Sequence, residues 1–116
     1  MIQKAAEETL HAEGNILYNA PVLVVVSASN EQKFPNIQYA NAACILENML
    51  LAASDRGIDS VYIWGATVGL AGNRELWEKL GVPEGYLPVS GAVFGYGVGE
   101  KSEDKELKIS LAINYA

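Results

Sequence analysis

The chain has 116 residues, half of them apolar, which is enough for one modest core and leaves no room for a second domain. Eight basic side chains against fourteen acidic ones give a net charge of −6, and the only arginines are Arg56 and Arg74; a nucleic-acid surface, which needs clustered cations, is excluded. One cysteine and one histidine exclude an internal disulfide framework and a Cys/His zinc site, so no metal is expected, and the balance suits a cytoplasmic protein.

Residues 1–14 interleave charges with alanines and lack the apolar run of a signal peptide. They read as a short helix, Ile2 to Ala12, stopped by Gly14. Val22 to Ala28 is a continuous, largely β-branched run of the kind found in a strand covered on both faces. A polar loop with Pro35 leads into a long helix from Asn36 to about Arg56, closed by Gly57. That helix is apolar or small nearly all round, with Ala40, Ala42, Ala43, Cys44, Ala52 and Ala53, so it needs cover on most sides. Gln38, Asn41, Glu47 and Asn48 argue against a membrane span, and no other apolar stretch is long enough for one. Cover of that extent exceeds what one short chain supplies, and a second copy is the commonest source.

Ser60 to Gly65 reads as a second strand, and Ala66 to Gly72 as a glycine-rich loop. Asn73 is placed to cap a helix from Arg74 to Leu80, ended by Gly81. Turn chemistry at Pro83 to Pro88 precedes a third strand, Val89 to Tyr96, and a charged loop runs from Glu100 to Glu106. Leu107, Ile109, Leu111, Ile113 and Tyr115 then alternate with polar or small residues, the pattern of a half-buried strand that pairs either with this sheet or with another subunit. The whole is a mixed α/β or α+β sheet with helices packed on it.

Cys44, in the middle of the apolar helix, reads as a small core residue, and nothing local ties it to His11 as a nucleophile to a base. Gly95 to Ser102 fails both the P-loop and the dinucleotide patterns, because Glu100 stands where glycine is required; these glycines read as relief for a tightly packed strand end, with backbone contact to a ligand as the weaker alternative. Glu75, Glu78 and Glu84 read as a solvated face. Gln38, Asn41 and Asn48 share one side of the long helix, where buried amides need partners: backbone, one another, or a flat polar heterocycle. Trp64, Gly65 and Ala66 are either a core tryptophan with a turn or the flat wall and exposed N–H groups of an aromatic-ligand crevice.

Five blocks, in order and spacing, resemble the FMN-dependent nitroreductase family: Tyr18-Asn-Ala-Pro-Val-Leu-Val-Val-Val26, Ala43-Cys-Ile-Leu-Glu-Asn-Met-Leu-Leu-Ala-Ala53, Gly57-Ile-Asp-Ser-Val-Tyr-Ile-Trp-Gly65, Leu80-Gly-Val-Pro-Glu-Gly-Tyr86 and Gly91-Ala-Val-Phe-Gly-Tyr96. The resemblance implies an α+β fold, with a mixed and largely antiparallel sheet and helices around a long buried central helix, working as a homodimer with FMN at the subunit interface. It implies two-electron transfer from NAD(P)H through the flavin to nitroaromatic, quinone or similar acceptors. By the same resemblance Trp64, Gly65 and Ala66 line the flavin ring, Asn41 lies near it, and Lys101, with Lys105 and Lys108 as the other candidates, contacts the phosphate. The family's arginine- and serine-rich N-terminal tract for that phosphate has no counterpart, so residues 1–116 read as one N-terminally short domain. The alternative reading is a truncated, non-catalytic relative that dimerises without flavin.

Overall fold

The described residues of the computed structural model are 15–99, 106, 108 and 110–115. Along them run strand β1 (Val22–Ser29), helix α1 (Ile37–Asp55), strand β2 (Asp59–Tyr62), helices α2 (Trp64–Ala71) and α3 (Arg74–Lys79), and strand β3 (Tyr86–Gly95). The expected helix from Ile2 to Ala12 and the loop from Glu100 to Lys105 lie outside the described residues. The three strands form one sheet in the order β1-β3-β2, with both pairings antiparallel, so the architecture is α+β.

The last strand of the chain order is thus the middle of the sheet. β3 pairs with β1 from Phe94 opposite Val22 to Ser90 opposite Val26, after which the register shifts and Pro88 faces Ser27. Val89 is the extra residue of this bulge. The bulge explains why the strand starts at Tyr86, before the proline that the sequence reading treated as turn. A proline lacks the N–H a ladder needs and is tolerated in sheets at bulges, and β2 reaches only as far as Ala92, leaving Pro88 beyond its end.

Burial follows position in the sheet and not the β-branched pattern. β3 is buried from Pro88 to Val93, whereas β1 is half-buried along its length and Val22 is exposed. The expectation that β1 is covered on both faces is therefore corrected: it is an edge strand, and Leu23, Val25 and Ser27 open onto a groove of about 330 Å³ bordered by Leu80, Gly81 and Val82.

α1 has the bounds its flanking residues dictate. Asn36 precedes it in the left-handed region, and at its end Gly57 (φ 69°) donates to Ser54 O while Ile58 donates to Ala53 O. That paired arrangement, with glycine in left-handed conformation, satisfies two of the last carbonyls. Ala42, Leu46 and Ala53 face the sheet and are buried; Ile45 and Leu51 remain 50% and 60% exposed. The expected burial on most sides is met on one face, because a three-stranded sheet offers a helix one surface. Cys44 is likewise exposed, not a core residue, since it lies about 180° around the helix from the buried stripe.

A second correction concerns residues 64–72, read as a strand end and loop but forming α2. β2 stops at Tyr62, Ile63 makes a last bond from its N–H to Gly91 O at 2.8 Å, and the chain turns directly into helix. Thr67, Gly69 and Leu70 are buried in it. Tertiary packing of such a face outweighs the weak helix propensity of three glycines within Trp64 to Gly72. α3 follows, its first turn capped by Asn73 Oδ1 accepting from Leu76 N–H at 3.0 Å, with Leu76 buried and the Trp77 indole donating to Leu70 O.

The C-terminal alternation does not make a strand of this sheet among the described residues: Leu111, Ile113 and Tyr115 are coil and exposed, and Leu107 and Ile109 lie outside the description. No helix among the described residues is long and apolar enough to cross a membrane.

Candidate functional site

Trp64 opens α2 and is 49% exposed, so of the two readings of this residue the structure excludes the buried core tryptophan. Its ring meets Tyr39 of α1 edge to face, with centroids 5.9 Å apart and planes at 60°. Tyr39 carries no signal in the sequence beyond its aromatic type. Gly65 follows, half-buried, and Ala66 completes the first turn.

The first N–H groups of any helix have no partner within it. At α2 the preceding residue, Ile63, has no side-chain acceptor to cap them, and no acidic residue stands in the first turn. This end therefore carries unscreened donors and a partial positive charge, suited to the carbonyl or anionic edge of a planar ligand. Beneath it the polar groups are satisfied: Thr67 Oγ1 donates to Ile63 O at 3.2 Å, and Ser90 Oγ donates to the Tyr62 hydroxyl.

Gln38, beside Tyr39 in the first turn of α1, is half-buried, and its Oε1 is enclosed without a donor. Of the three amides expected to share a side, only this one is drawn in. Asn41 and Asn48 are exposed. Asn41 stands about 200° around α1 from Tyr39, so it projects away from the side that meets Trp64. Asn48 lines a depression with Ala43, Cys44 and Glu47 of α1 and Tyr62 of β2. Lys101 lies outside the described residues.

Lys108, the phosphate candidate among the described residues, is exposed in the C-terminal coil, and four more of the described cations have engagements of their own. Arg56 Nη1 donates to Ala52 O at 3.1 Å, Arg74 lies 3.7 Å from Glu78, Lys79 lies 2.7 Å from Glu75, and Lys33 sits over the Phe34 ring. The Lys79 ammonium holds the Glu75 carboxyl below its ordinary pKa, by hydrogen bond and by charge. Glu75 and Glu78 thus belong to a solvated, ion-paired helix face.

At the far end of β3 a cleft of about 200 Å³ is bordered by Tyr18, Pro21, Asp59 and Tyr96 among others. A methyl at Gly95 would lie 2.8 Å from Pro21 Cδ, and one at Gly97 would lie 2.7 Å from Asp59 Oδ2, which accepts from Gly97 N–H at 2.6 Å. These glycines serve close packing at a strand end, as the sequence reading has it.

Comparison with known proteins bears on the α2 site. The family model described as the nitroreductase family matches residues 2–96. A nitroreductase with bound FMN from Bacteroides fragilis NCTC 9343 is 29% identical, with a TM-score of 0.72 over 98% of this chain and 66% of that one. A nitroreductase with bound FMN from Desulfitobacterium hafniense DCB-2 (18% identity, TM-score 0.75, 98% and 70% covered) shares the fold, as does an FMN-dependent nitroreductase from Clostridium difficile R20291 (15%, 0.70, 96% and 72%). The chain thus spans about two thirds of the length of these structures. No curated protein matches the sequence. The match over residues 2–96 takes in every strand and helix described above, and the chain belongs to the nitroreductase family.

Proposed function

We propose that this chain is an FMN-dependent oxidoreductase of nitroreductase type, passing two electrons from NAD(P)H to nitroaromatic, quinone or similar small acceptors, and that it works as a homodimer. The observation that carries the reading is the open first turn of α2 beside an exposed tryptophan, in a chain whose family match is accompanied by FMN-bound neighbours.

The residues fit the ring end of the cofactor. Trp64 presents a flat apolar wall that keeps water from a ring plane, and the Gly65 and Ala66 N–H groups are donors for its polar edge. When bound, FMN would supply the two-electron redox chemistry that protein side chains do not provide. The chain's own part is orientation, exclusion of water and a positive field from the α2 terminus. Asn41, on the outer side of α1, is assigned to the ring environment only across a subunit boundary, and Lys101 to the phosphate.

Two exposed apolar surfaces support the dimer: the outer face of α1 with Ile45 and Leu51, and the C-terminal residues Leu111, Ile113 and Tyr115. The alternative reading, a dimer that holds no flavin, has one observation in its favour: Arg56, Arg74, Lys79 and Lys33 are engaged away from α2's first turn.

Incubation with FMN followed by gel filtration separates the two readings. A flavin absorption band travelling with the protein peak, and quinone-dependent oxidation of NADH or NADPH by that fraction, is the expected result. A colourless protein peak would leave the flavin-free alternative.

A further inference from the structure

We propose that Gly91 and Thr67 are positioning residues, forming the seat that fixes the first turn of α2 against the sheet and thereby setting how strongly that turn favours the reduced over the oxidised flavin. The proposal rests on the reading of the α2 terminus as the border of FMN.

The seat is visible in three contacts. Ile63, the residue before α2, donates its N–H to Gly91 O at 2.8 Å, and its own carbonyl accepts from Thr67 Oγ1 at 3.2 Å. A methyl at Gly91 would stand 3.1 Å from Val24 O, 3.3 Å from Thr67 Oγ1 and 3.8 Å from Ile63 O. Thr67 is 4% exposed, and Gly91 lies in the buried run of β3.

Glycine inside a central strand weakens it, so its presence marks a close backbone approach. Here the approaching groups are an edge-strand carbonyl and the first turn of a helix. Val24 is held by the β1–β3 ladder, where Val25 faces Gly91. The α2 turn is the part free to yield to a side chain at position 91. Gly91 and Thr67 are both buried, and both act through Ile63, one residue before Trp64. The field of a helix end falls off within its first turn, so a displacement of a few tenths of an ångström changes what the Gly65 and Ala66 N–H groups contribute to an anionic ring.

The test uses oxidised and reduced FMN on the full chain, with the midpoint potential and the thermal melt read together. Thr67→Val keeps the side-chain shape and removes the hydroxyl; Thr67→Ser keeps the hydroxyl; Gly91→Ala adds the methyl; Gly91→Ala with Thr67→Ala removes one of the atoms that methyl meets. Thr67→Val and Gly91→Ala are expected to weaken reduced FMN relative to oxidised FMN by about threefold to tenfold, which for a two-electron couple lowers the potential by about 15 to 30 mV. Thr67→Ser should match wild type, and the double variant should recover part of the Gly91→Ala shift. A role in stability alone would lower the melt and leave the potential where it was, and that result overturns the proposal. If Gly91→Ala does not fold, the valine and serine pair at position 67 decides. A wild-type protein that takes up no FMN overturns the reading of function and the proposal with it; a wild type that binds FMN, with unmoved variants, overturns the proposal alone.

Discussion

The rings of Tyr39 and Trp64 meet edge to face with centroids 5.9 Å apart, tying the first turn of α1 to the first turn of α2. Such a pair contributes about 0.5 to 1.5 kcal/mol beyond burial. Because Trp64 is half exposed, Trp64→Ala should cost folding stability no more than about 1 to 2 kcal/mol in a denaturant titration. Its main effect should fall on FMN affinity, read by flavin fluorescence. A large stability loss with unchanged affinity would make Trp64 a packing residue.

The two faces of α1 should respond differently to substitution. Leu46 is fully buried, so Leu46→Ala should destabilise the fold by about 2 to 5 kcal/mol. Ile45 is half exposed in the single chain. Ile45→Glu should leave the single chain folded and shift sedimentation from dimer to monomer, because a charge in an apolar interface is costly unless paired. Equal sedimentation of wild type and variant would remove this face from the interface.

How much of this was legible in the sequence varies with where the deciding information lies. α1 was read almost to the residue because its stops are local: Asn36 in the left-handed region and Gly57 beyond the last turn. The sequence shows β3 but not its start at Tyr86, since Pro88 in a middle strand makes sense only with Val89 bulging against β1. α2 is not legible in the sequence because its helix is imposed from outside: Gly65, Gly69 and Gly72 spell a loop, and the packing of Thr67 and Leu70 decides otherwise. Trp64 and Gly65 were singled out, but whether the indole was buried was a tertiary matter. Tyr39 carries no signal beyond its type, and Cys44 reads as a core residue because the sequence does not show that α1 has sheet on one side only.

Asn73 supplies the side-chain cap of α3, its Oδ1 accepting from Leu76 N–H at 3.0 Å. Asn73→Ala should lower stability by about 1 kcal/mol, and Asn73→Asp should retain most of the cap. Chemical denaturation of the two variants checks both. Equal losses would mean that the amide side chain, and not its acceptor oxygen, matters.

The Glu75–Lys79 pair gives a pH dependence of definite sign. Lys79 lowers the folded pKa of Glu75 below the ordinary 4.5, so the pair's contribution is present above that value and is lost as the pH falls through the lowered folded pKa. Both side chains are exposed, so the effect is small and screened by salt. Thermal melts of wild type and Glu75→Gln should differ slightly at neutral pH and low salt, and should converge in acid. A gap that widens on acidification would reverse the assignment.

The central claim is that a flavin ring lies against the first turn of α2, where Gly65 leaves room for it. Equilibrium dialysis of FMN against wild type and Gly65→Val, with the size of each protein checked by sedimentation, tests it most directly. Stoichiometric FMN on the wild type, and loss of binding in a Gly65→Val protein of unchanged size, is the predicted result. Equal FMN retention by the two proteins, or none by the wild type, would contradict it.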